Sequence, residues 1–435
     1  MLRIHAGRKR KHVVPVVAIT YLIILWFWIL YWGSLPSLNL LSSFSGPSDV
    51  FDFSPLKSEA IQKVCAGVEW NPDIVFTCDR SVGGVGNIRN SVLHCVRYAI
   101  SAGASLVIPR IVIRNPKDVA IIHTKERVEL DYMFDRHHFV ESLRLSCPQL
   151  RLYNTITDVP NYKAAQKKVG TTLDPARIME RVPHYGLAHP EDFQQRFYEW
   201  LKKHFPDATT GTTVVALARL YLQYPIYTDS EVFALSFGEI LKFRPDVRRL
   251  ATLALVKMSK ALSLPKLLIG NYAKKAFFGA HLRTEKDAVN GFTAFELSAY
   301  EAQSKLYLEQ AASTNMKVLY VASGNDTEIN RFADDARIAN MTVITKHDLL
   351  EGEDLKKLNA LTWDQQALVD FLVLSKSSYF AGVGHTSFAL NIALLRHQWA
   401  RAKNHLNGPQ QISDDLSVIF GKVHARMEYV NNMWP

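Results

Sequence analysis

The chain has 435 residues, a net charge of +10 and four cysteines. A short N-terminal tail accounts for half of that charge, through Arg3, Arg8, Lys9, Arg10 and Lys11. The rest of the chain is only mildly basic, so the composition does not indicate a nucleic-acid-binding protein. After the tail and the segments described next, roughly 370 residues remain, and this length favours two domains over one.

Residues 13–32 form an almost unbroken apolar run, VVPVVAITYLIILWFWILYW. At about 1.5 Å per helical residue, the run is long enough to cross a hydrocarbon core of about 30 Å. The cationic tail, residues 1–12, predicts a cytosolic N-terminus and a lumenal body. A cleaved signal peptide is the alternative, but the run is longer than a usual signal core and no small-residue cleavage pattern follows it. We therefore expect a single-pass type II protein of the Golgi or endoplasmic reticulum membrane, with a stem at residues 33–60.

The cysteines all lie early in the globular part, at Cys65, Cys78, Cys95 and Cys147. An oxidising lumen permits disulfides, and four cysteines allow three pairings. Cys95 falls within an apolar helical pattern, where a buried free thiol is the alternative. We expect at least one bridge, and the pairing stays open.

The first half of the globular part begins with a predicted βαβ unit. Residues 73–78 (DIVFTC) are typical of a strand, the turn SVGGVGN follows, and the next helix carries Ile88, Val92 and Val96 on one face. Residues 105–109 predict a second buried strand. Such a turn places backbone amides at a helix N-terminus, where they suit an anion or a polar sugar. Residues 161–262 then have a largely helical pattern and complete a first lobe at residues 61–265.

The second half, residues 266–435, alternates between strands and helices. Strands are predicted at residues 276–283, 317–323 and 342–345 and at SYFAG, and helices at residues 293–312, 327–339, 363–375 and 387–395. This rhythm predicts a parallel sheet with helices on both faces. Two such lobes would face each other across a cleft, and ligands bind outside the carboxyl ends of parallel strands.

The turn before the first predicted helix contains Gly84 and Gly86, followed by Asn87 and Arg89. Its spacing fits neither the dinucleotide fingerprint nor a P-loop, and a purely structural tight turn is the alternative. The asparagine and the arginine favour a functional turn, because they bring an amide and a fixed cation to the mouth of a strand-to-helix crevice.

The second half offers an arginine and another glycine-rich turn. Arg283 emerges from an apolar strand, two residues after His281 and four before Asp287. A guanidinium there would clamp phosphate oxygens, with a structural Arg–Asp pair as the alternative. In the turn GVGHTSF, Thr386 and Ser387 are either helix N-caps or ligands for a diphosphate.

Several segments together carry a family resemblance. They are GGVGNIRNSVLHCVRYAISAGASLVIPRI, FDRHHFVESL, LKFRPDVRRLA, FFGAHLRTEKDA, VLYVASG and LVDFLVLSKSSYFAGVGHTSFALNIALLR. In this order, from about residue 65 to residue 397, they resemble the GDP-fucose protein O-fucosyltransferase family. The resemblance implies a GT-B arrangement of two Rossmann-like lobes, an inverting transfer and no required metal or cofactor, with GDP-fucose as the donor.

The resemblance also implies roles for individual residues. Arg283 matches the arginine that holds the β-phosphate and stabilises the leaving GDP, and Asn87 matches an asparagine near the reaction centre. The other positions implied around the nucleotide sugar are Gly84, Gly86, Arg89, His281, Asp287, Asp370, Thr386, Ser387 and Phe388.

The chemistry agrees with this assignment. A leaving nucleoside diphosphate gathers negative charge, and a fixed guanidinium stabilises that charge most in the transition state. The sequence has no D-x-D motif and no zinc-like histidine spacing, which fits a cation supplied by the protein. The catalytic base stays open, since the glycine-rich loop has no glutamate and the choices are Glu285, Asp287 or water.

We expect a glycosyltransferase acting on a protein or glycan hydroxyl. The same fold with another nucleotide sugar is one alternative, and a non-catalytic, membrane-anchored sugar-binding protein is another.

Overall fold

The structure is a computed structural model and describes residues 49–115, 118–163, 172–206, 211–264, 270–285, 288, 297–401, 413–421 and 427–435. The predicted cytosolic tail, membrane helix and most of the stem lie outside the described residues. Among the helices that are described, none is both long and apolar enough to cross a membrane.

The first half, up to residue 264, contains nine strands and six α-helices among its described residues. The strands are β1 (Asn71–Thr77), β2 (Ala104–Val107), β3 (Ile111–Val112), β4 (Arg127–Val128), β5 (Leu152–Tyr153), β6 (Thr172–Leu173), β7 (Arg181–Val182), β8 (Gly186–Leu187) and β9 (Thr213–Leu217). The helices are α1 (Glu59–Ala66), α2 (Val85–Ala102), α3 (Arg136–Ser146), α4 (Phe193–His204), α5 (Glu231–Phe237) and α6 (Pro245–Ala261).

Five of these strands form one sheet in the order β5-β2-β1-β9-β6, and every pairing in it is parallel. The predicted βαβ unit is confirmed as β1, α2 and β2. The largely helical pattern predicted for residues 161–262 is wrong in part, because β9 lies there and pairs with β1. Its sequence, TVVAL, is rich in β-branched residues and buried, which favours a strand.

The second half contains β10 (Phe278–His281), β11 (Val318–Ala322), β12 (Thr342–Ile344), β13 (Tyr379–Val383) and β14 (Ser417–Phe420). Its described helices are α7 (Tyr300–Ser313), α8 (Asp326–Ile338), α9 (Lys346–Leu349), α10 (Gly352–Ala360), α11 (Trp363–Ser375), α12 (Ser387–His397) and α13 (Met427–Asn432). The five strands form a parallel sheet in the order β12-β11-β10-β13-β14. The predicted α/β fold with parallel sheets is therefore confirmed in both halves.

The two halves share one apolar core. Helix α6 packs along α11, and the rings of Phe243 and Phe371 meet edge to face with centroids 5.1 Å apart. The end of the chain returns to the first half, where the fully buried Trp434 packs against His94 and Phe237. Residues of both halves can therefore line a common site.

Two disulfides lie in the first half. Cys65–Cys147 joins α1 to the end of α3, and Cys78–Cys95 joins the end of β1 to the middle of α2. The expectation of at least one bridge is confirmed, and the alternative of a free thiol at Cys95 is wrong. The second bridge encloses the glycine-rich turn that starts α2.

Candidate active site

A cavity of about 490 Å³ lies where the carboxyl ends of the second sheet meet the start of α2. Four strands of that sheet, β10 to β13, end at its wall. Strand order reverses at β10, whose neighbours are β11 and β13, and such a switch point is where open α/β sheets bind ligands. The cavity is also in the usual volume range for a small-molecule site.

The glycine-rich turn forms the side of the cavity that belongs to the first half. Gly83 has a φ of +108°, which disfavours any side chain there, and the amide nitrogen of Asn87 lies 2.8 Å from where a Cβ on Gly83 would be. Gly84 and Asn87 both line the cavity. Among the described residues, the buried Oδ1 of Asn87 has no hydrogen-bond partner. An acceptor atom at the start of α2 is thus available to a ligand.

Gly86 brings the two halves together at this point. A Cβ on Gly86 would lie 2.5 Å from the carbonyl oxygen of Ser387, in the first turn of α12. Only a glycine permits this approach, so the N-termini of α2 and α12 meet beside the cavity. Gly86 therefore shapes the site, although it is not among the residues that line the cavity.

Arg89 is not placed at the cavity, contrary to the prediction. Its buried guanidinium donates to the backbone oxygens of Trp434 (2.7 Å), Gly238 (3.1 Å) and Pro435 (2.7 Å). Burial lowers its pKa to about 10. The side chain thus holds residues 434 and 435 against the first half. The sequence prediction failed because Arg89, although only two residues after Asn87, lies on a different face of α2.

Arg283 lies two residues beyond β10 and lines the cavity. Gln303 of α7 fixes its backbone twice, because the Arg283 N–H donates to Oε1 and the Arg283 carbonyl accepts from Nε2, each at 2.8 Å. The Arg283 guanidinium pairs with Glu285, whose other carboxylate oxygen accepts from the Gly324 N–H at 2.8 Å. The arginine is therefore held in place before any ligand arrives, and Glu285 is already engaged.

His281, the last residue of β10, lies against Phe388, with ring centroids 4.5 Å apart. Burial, together with the positive charge of Arg283, holds the pKa of His281 well below its ordinary value. Burial and the Arg283 charge likewise lower the pKa of His385 to about 4. Both imidazoles are thus neutral near pH 7, so Arg283 carries the positive charge on this side of the cavity.

Thr386, Ser387 and Phe388 line the cavity at the start of α12. Thr386 is the N-cap residue, but its side chain makes no capping hydrogen bond. The first amides of α12 are therefore not satisfied by that hydroxyl, and they suit an anion in the way helix N-termini generally do.

Asp370 of α11 also lines the cavity. Both of its carboxylate oxygens already accept hydrogen bonds, from the Tyr320 hydroxyl (2.7 Å) and from Lys346 (2.8 Å). A ligand would share these oxygens rather than meet a free carboxylate. Asp287, the remaining predicted residue, lies outside the described residues.

Sequence reasoning missed a second arginine in the cavity. Arg114, in the loop after β3, forms an ion pair with Asp364 of α11 (3.0 Å), and both side chains are buried. Burial raises the pKa of Asp364 to about 6, although Arg114 partly offsets this. This ion pair connects the two halves. Two hydrogen bonds do the same: the Tyr132 hydroxyl bonds Thr362 (2.7 Å), and the Gln365 amide donates to the Tyr132 carbonyl (2.9 Å).

Within the described part of the structure, no group of three or more histidine, cysteine, aspartate or glutamate side chains is arranged to hold a metal ion.

The sequence matches the family model for GDP-fucose protein O-fucosyltransferase over residues 74–398, which is 325 of the 435 residues. A search of curated proteins finds no significant match.

Several solved fucosyltransferases are similar to the chain. POFUT1 in complex with GDP-fucose matches at 14% identity and a TM-score of 0.47, covering 81% of this chain and 100% of its own. An Arabidopsis thaliana FUT1 mutant in complex with GDP matches at 13% and 0.37, covering 78% and 71%. The α-1,6-fucosyltransferase NodZ soaked with GDP-fucose matches at 12% and 0.36, covering 75% and 92%.

These TM-scores lie below 0.5, so membership rests on the family model, which spans about three quarters of the chain. The chain belongs to the GDP-fucose protein O-fucosyltransferase family and is a glycosyltransferase.

Proposed function

We propose that the protein transfers fucose from GDP-fucose to a hydroxyl of a protein or glycan, with inversion and without a metal ion. The observation that carries the proposal is the fixed guanidinium of Arg283 at the switch point of the second sheet, in the same cavity as the start of α12. The family membership and the GDP-fucose complexes of POFUT1 and NodZ support the choice of donor.

In the proposed reaction, the acceptor oxygen bonds to the anomeric carbon while the bond from that carbon to the β-phosphate oxygen breaks. The bonding electrons leave with GDP, and the hydroxyl proton leaves the acceptor. Charge thus develops on the β-phosphate, where Arg283 and the amides of α12 stabilise it without reorganising. Because the arginine is held by Gln303 and Glu285, this stabilisation is available before the bond breaks.

Glu285 is a poor choice for the base that accepts this proton. One of its oxygens pairs with Arg283 and the other accepts from the Gly324 N–H. We assign it to positioning Arg283. The proton then goes to another carboxylate or to water.

We also propose a GT-B architecture, with lobes at residues 61–265 and 266–435 that face each other across the cavity. A cytosolic tail, a membrane helix at residues 13–32 and a stem would precede them, which places the enzyme in the Golgi or endoplasmic reticulum lumen. The apolar run and the two disulfides support this placement, because disulfides persist in oxidising compartments. Protease protection of a C-terminal tag in intact microsomes tests it, and digestion of the tag without detergent would contradict it.

A donor hydrolysis screen tests the activity. The full-length chain, purified in detergent, is incubated with GDP-fucose, GDP-mannose and several UDP-sugars, and the released nucleotide is measured. We expect GDP release from GDP-fucose at the highest rate. Preferential hydrolysis of another nucleotide sugar would contradict the proposed donor, and turnover of none of them, with or without glycan and protein acceptors, would contradict the proposed transfer.

A further inference from the structure

The cavity contains an arginine from each half of the molecule. Arg283 comes from the second half and Arg114 from the first, and no motif in the sequence marked Arg114. Three groups fix the Arg114 side chain: its Nε pairs with Asp364 (3.0 Å), its Nη1 donates to the Val119 carbonyl (2.8 Å), and its guanidinium carbon lies 4.8 Å from the centre of the Trp363 ring. With only 8% of the side chain exposed, the guanidinium has a defined position.

The remaining nitrogen of that guanidinium is directed to the glycine-rich turn. Arg114 Nη2 lies 3.6 Å from where a Cβ on Gly84 would be, next to the N-terminus of α2. A charged nitrogen and a helix N-terminus therefore border the same corner of the cavity. The buried Oδ1 of Asn87, which has no partner among the described residues, lies in the same turn. A bound group is expected where such polar atoms converge.

A chain of contacts connects this corner to Arg283. The indole nitrogen of Trp363 lies 2.6 Å from where a Cβ on Gly324 would be, so Trp363 packs directly on that glycine. The Gly324 N–H donates to Glu285, which pairs with Arg283. The two arginines thus lie on the wall of one cavity and are linked through Trp363 and Gly324.

The ion-pair partners of the cations in the cavity indicate what Arg114 would do. Arg283 and Lys346 each pair with a carboxylate of the second half, Glu285 and Asp370. Arg114 pairs instead across the two halves, with a carboxyl whose pKa burial raises to about 6. The Asp364 charge is therefore more easily neutralised than that of an ordinary aspartate when an anion approaches.

We propose that Arg114 is a second diphosphate-binding arginine, supplied by the first half, and that Asp364 and Trp363 are its positioning residues. This inference rests on the proposed function, because it assumes that a nucleoside diphosphate occupies the cavity. Two guanidiniums, one from each half, would bind the diphosphate together only when both halves are in place. Donor binding would then depend on the contact between the two halves.

Comparison of GDP with guanosine tests the proposal, because the two ligands differ only in the diphosphate. Removing Arg114 alone would strand a buried carboxylate, so the informative variant is Arg114→Met combined with Asp364→Asn. Calorimetry on the full-length chain should show GDP binding about tenfold or more weaker than in the wild type, with guanosine binding within about twofold. Arg110→Met removes a nearby cation, just before β3 and outside the cavity lining, and it should leave both affinities unchanged.

The single variant Asp364→Asn gives a prediction of opposite sign. It keeps Arg114 and, through the asparagine Oδ1, the acceptor that positions Arg114 Nε, while it removes the neutralising charge, so GDP should bind at least as tightly as to the wild type. Weaker GDP binding by Asp364→Asn would overturn the proposal even if the double variant did not fold. Unchanged GDP binding by the double variant, or an equal loss of GDP and guanosine binding, would also overturn it. Failure of the wild type to bind GDP would instead reject the proposed function itself.

Discussion

The two halves use similar sheets but hold their functional turns in different ways. In the first half, the disulfide Cys78–Cys95 encloses the glycine-rich turn, and all four cysteines of the chain lie in this half. In the second half, side-chain hydrogen bonds from Gln303 and Glu285 hold Arg283. The first half thus fixes a turn covalently, whereas the second fixes a charged side chain through polar contacts.

The difference reflects what each half supplies. The start of α2 contributes backbone and the amide of Asn87, whose position depends on the path of the main chain. Arg283 contributes a charge on a long side chain, which needs partners along its length. The two halves meet where Gly86 contacts Ser387. Loss of the disulfide in the first half or of the polar contacts in the second would therefore disturb the same cavity.

Removing the disulfides should give the largest stability effect. In the chain-entropy model, a bridge that closes 82 residues contributes about 4.5 kcal/mol and one that closes 17 residues about 3 kcal/mol. Replacing Cys65 and Cys147 by serine should therefore lower the free energy of unfolding more than replacing Cys78 and Cys95, as measured by denaturant titration. Donor hydrolysis should show the opposite order, because only Cys78–Cys95 encloses the turn. Equal activity of the two folded variants would contradict the comparison.

Arg283→Ala should lower the turnover number for donor hydrolysis by about 10²- to 10³-fold, or about 3 to 4 kcal/mol in the transition state. Its thermal unfolding midpoint should fall only modestly, because Glu285 loses the charge of Arg283 but keeps the hydrogen bond from the Gly324 N–H. Arg401→Ala, which removes an exposed arginine of the second half, is the matched control. Wild-type turnover in Arg283→Ala would refute the role assigned to the second half.

The stability that His94 contributes to the first half depends on pH, whereas that of the disulfides does not. Burial lowers the pKa of His94 to about 4, while its ring bonds the Asn90 carbonyl at 2.9 Å. The unfolded chain binds this proton near pH 6.5 and the folded chain only near 4, so stability falls as the pH drops through this window. The loss should reach about 3 kcal/mol by pH 4.

The comparison of wild type with His94→Gln isolates that contribution. Asp364 acts in the opposite direction, because its raised pKa favours the folded state at acidic pH. Unfolding free energies measured from pH 7 to pH 4 should therefore decline less steeply in His94→Gln than in the wild type. Parallel pH profiles would contradict the assignment.

Gly86→Ala should lower the free energy of unfolding by about 1 to 3 kcal/mol, because the backbone must shift to relieve a contact of 2.5 Å with Ser387. The same shift should lower donor hydrolysis, since both helix N-termini border the cavity. Gly67→Ala, where a Cβ would meet only ordinary contacts at 3.6 Å, should be neutral in both assays. Unchanged donor hydrolysis by Gly86→Ala would contradict the claim that the contact between Gly86 and Ser387 shapes the active site.

Much of the site could be predicted because it follows the strands. Apolar strands followed by Arg283 or by a glycine-rich turn indicate carboxyl ends of a parallel sheet, where these residues were found. Arg89 could not be placed correctly, because its partners are the last residues of the chain, more than 300 positions away. Arg114 lies in a loop whose position depends on α11 of the other half, and no local pattern indicates that contact.

The most direct test of the account is thermal unfolding of the full-length chain with GDP and with UDP. A ligand at one hundred times its dissociation constant stabilises the folded state by about 2.7 kcal/mol. The account predicts a clear rise of the unfolding midpoint with GDP and little change with UDP at the same concentration. No rise with GDP, or an equal or larger rise with UDP, would contradict the claim that this cavity binds a GDP-sugar.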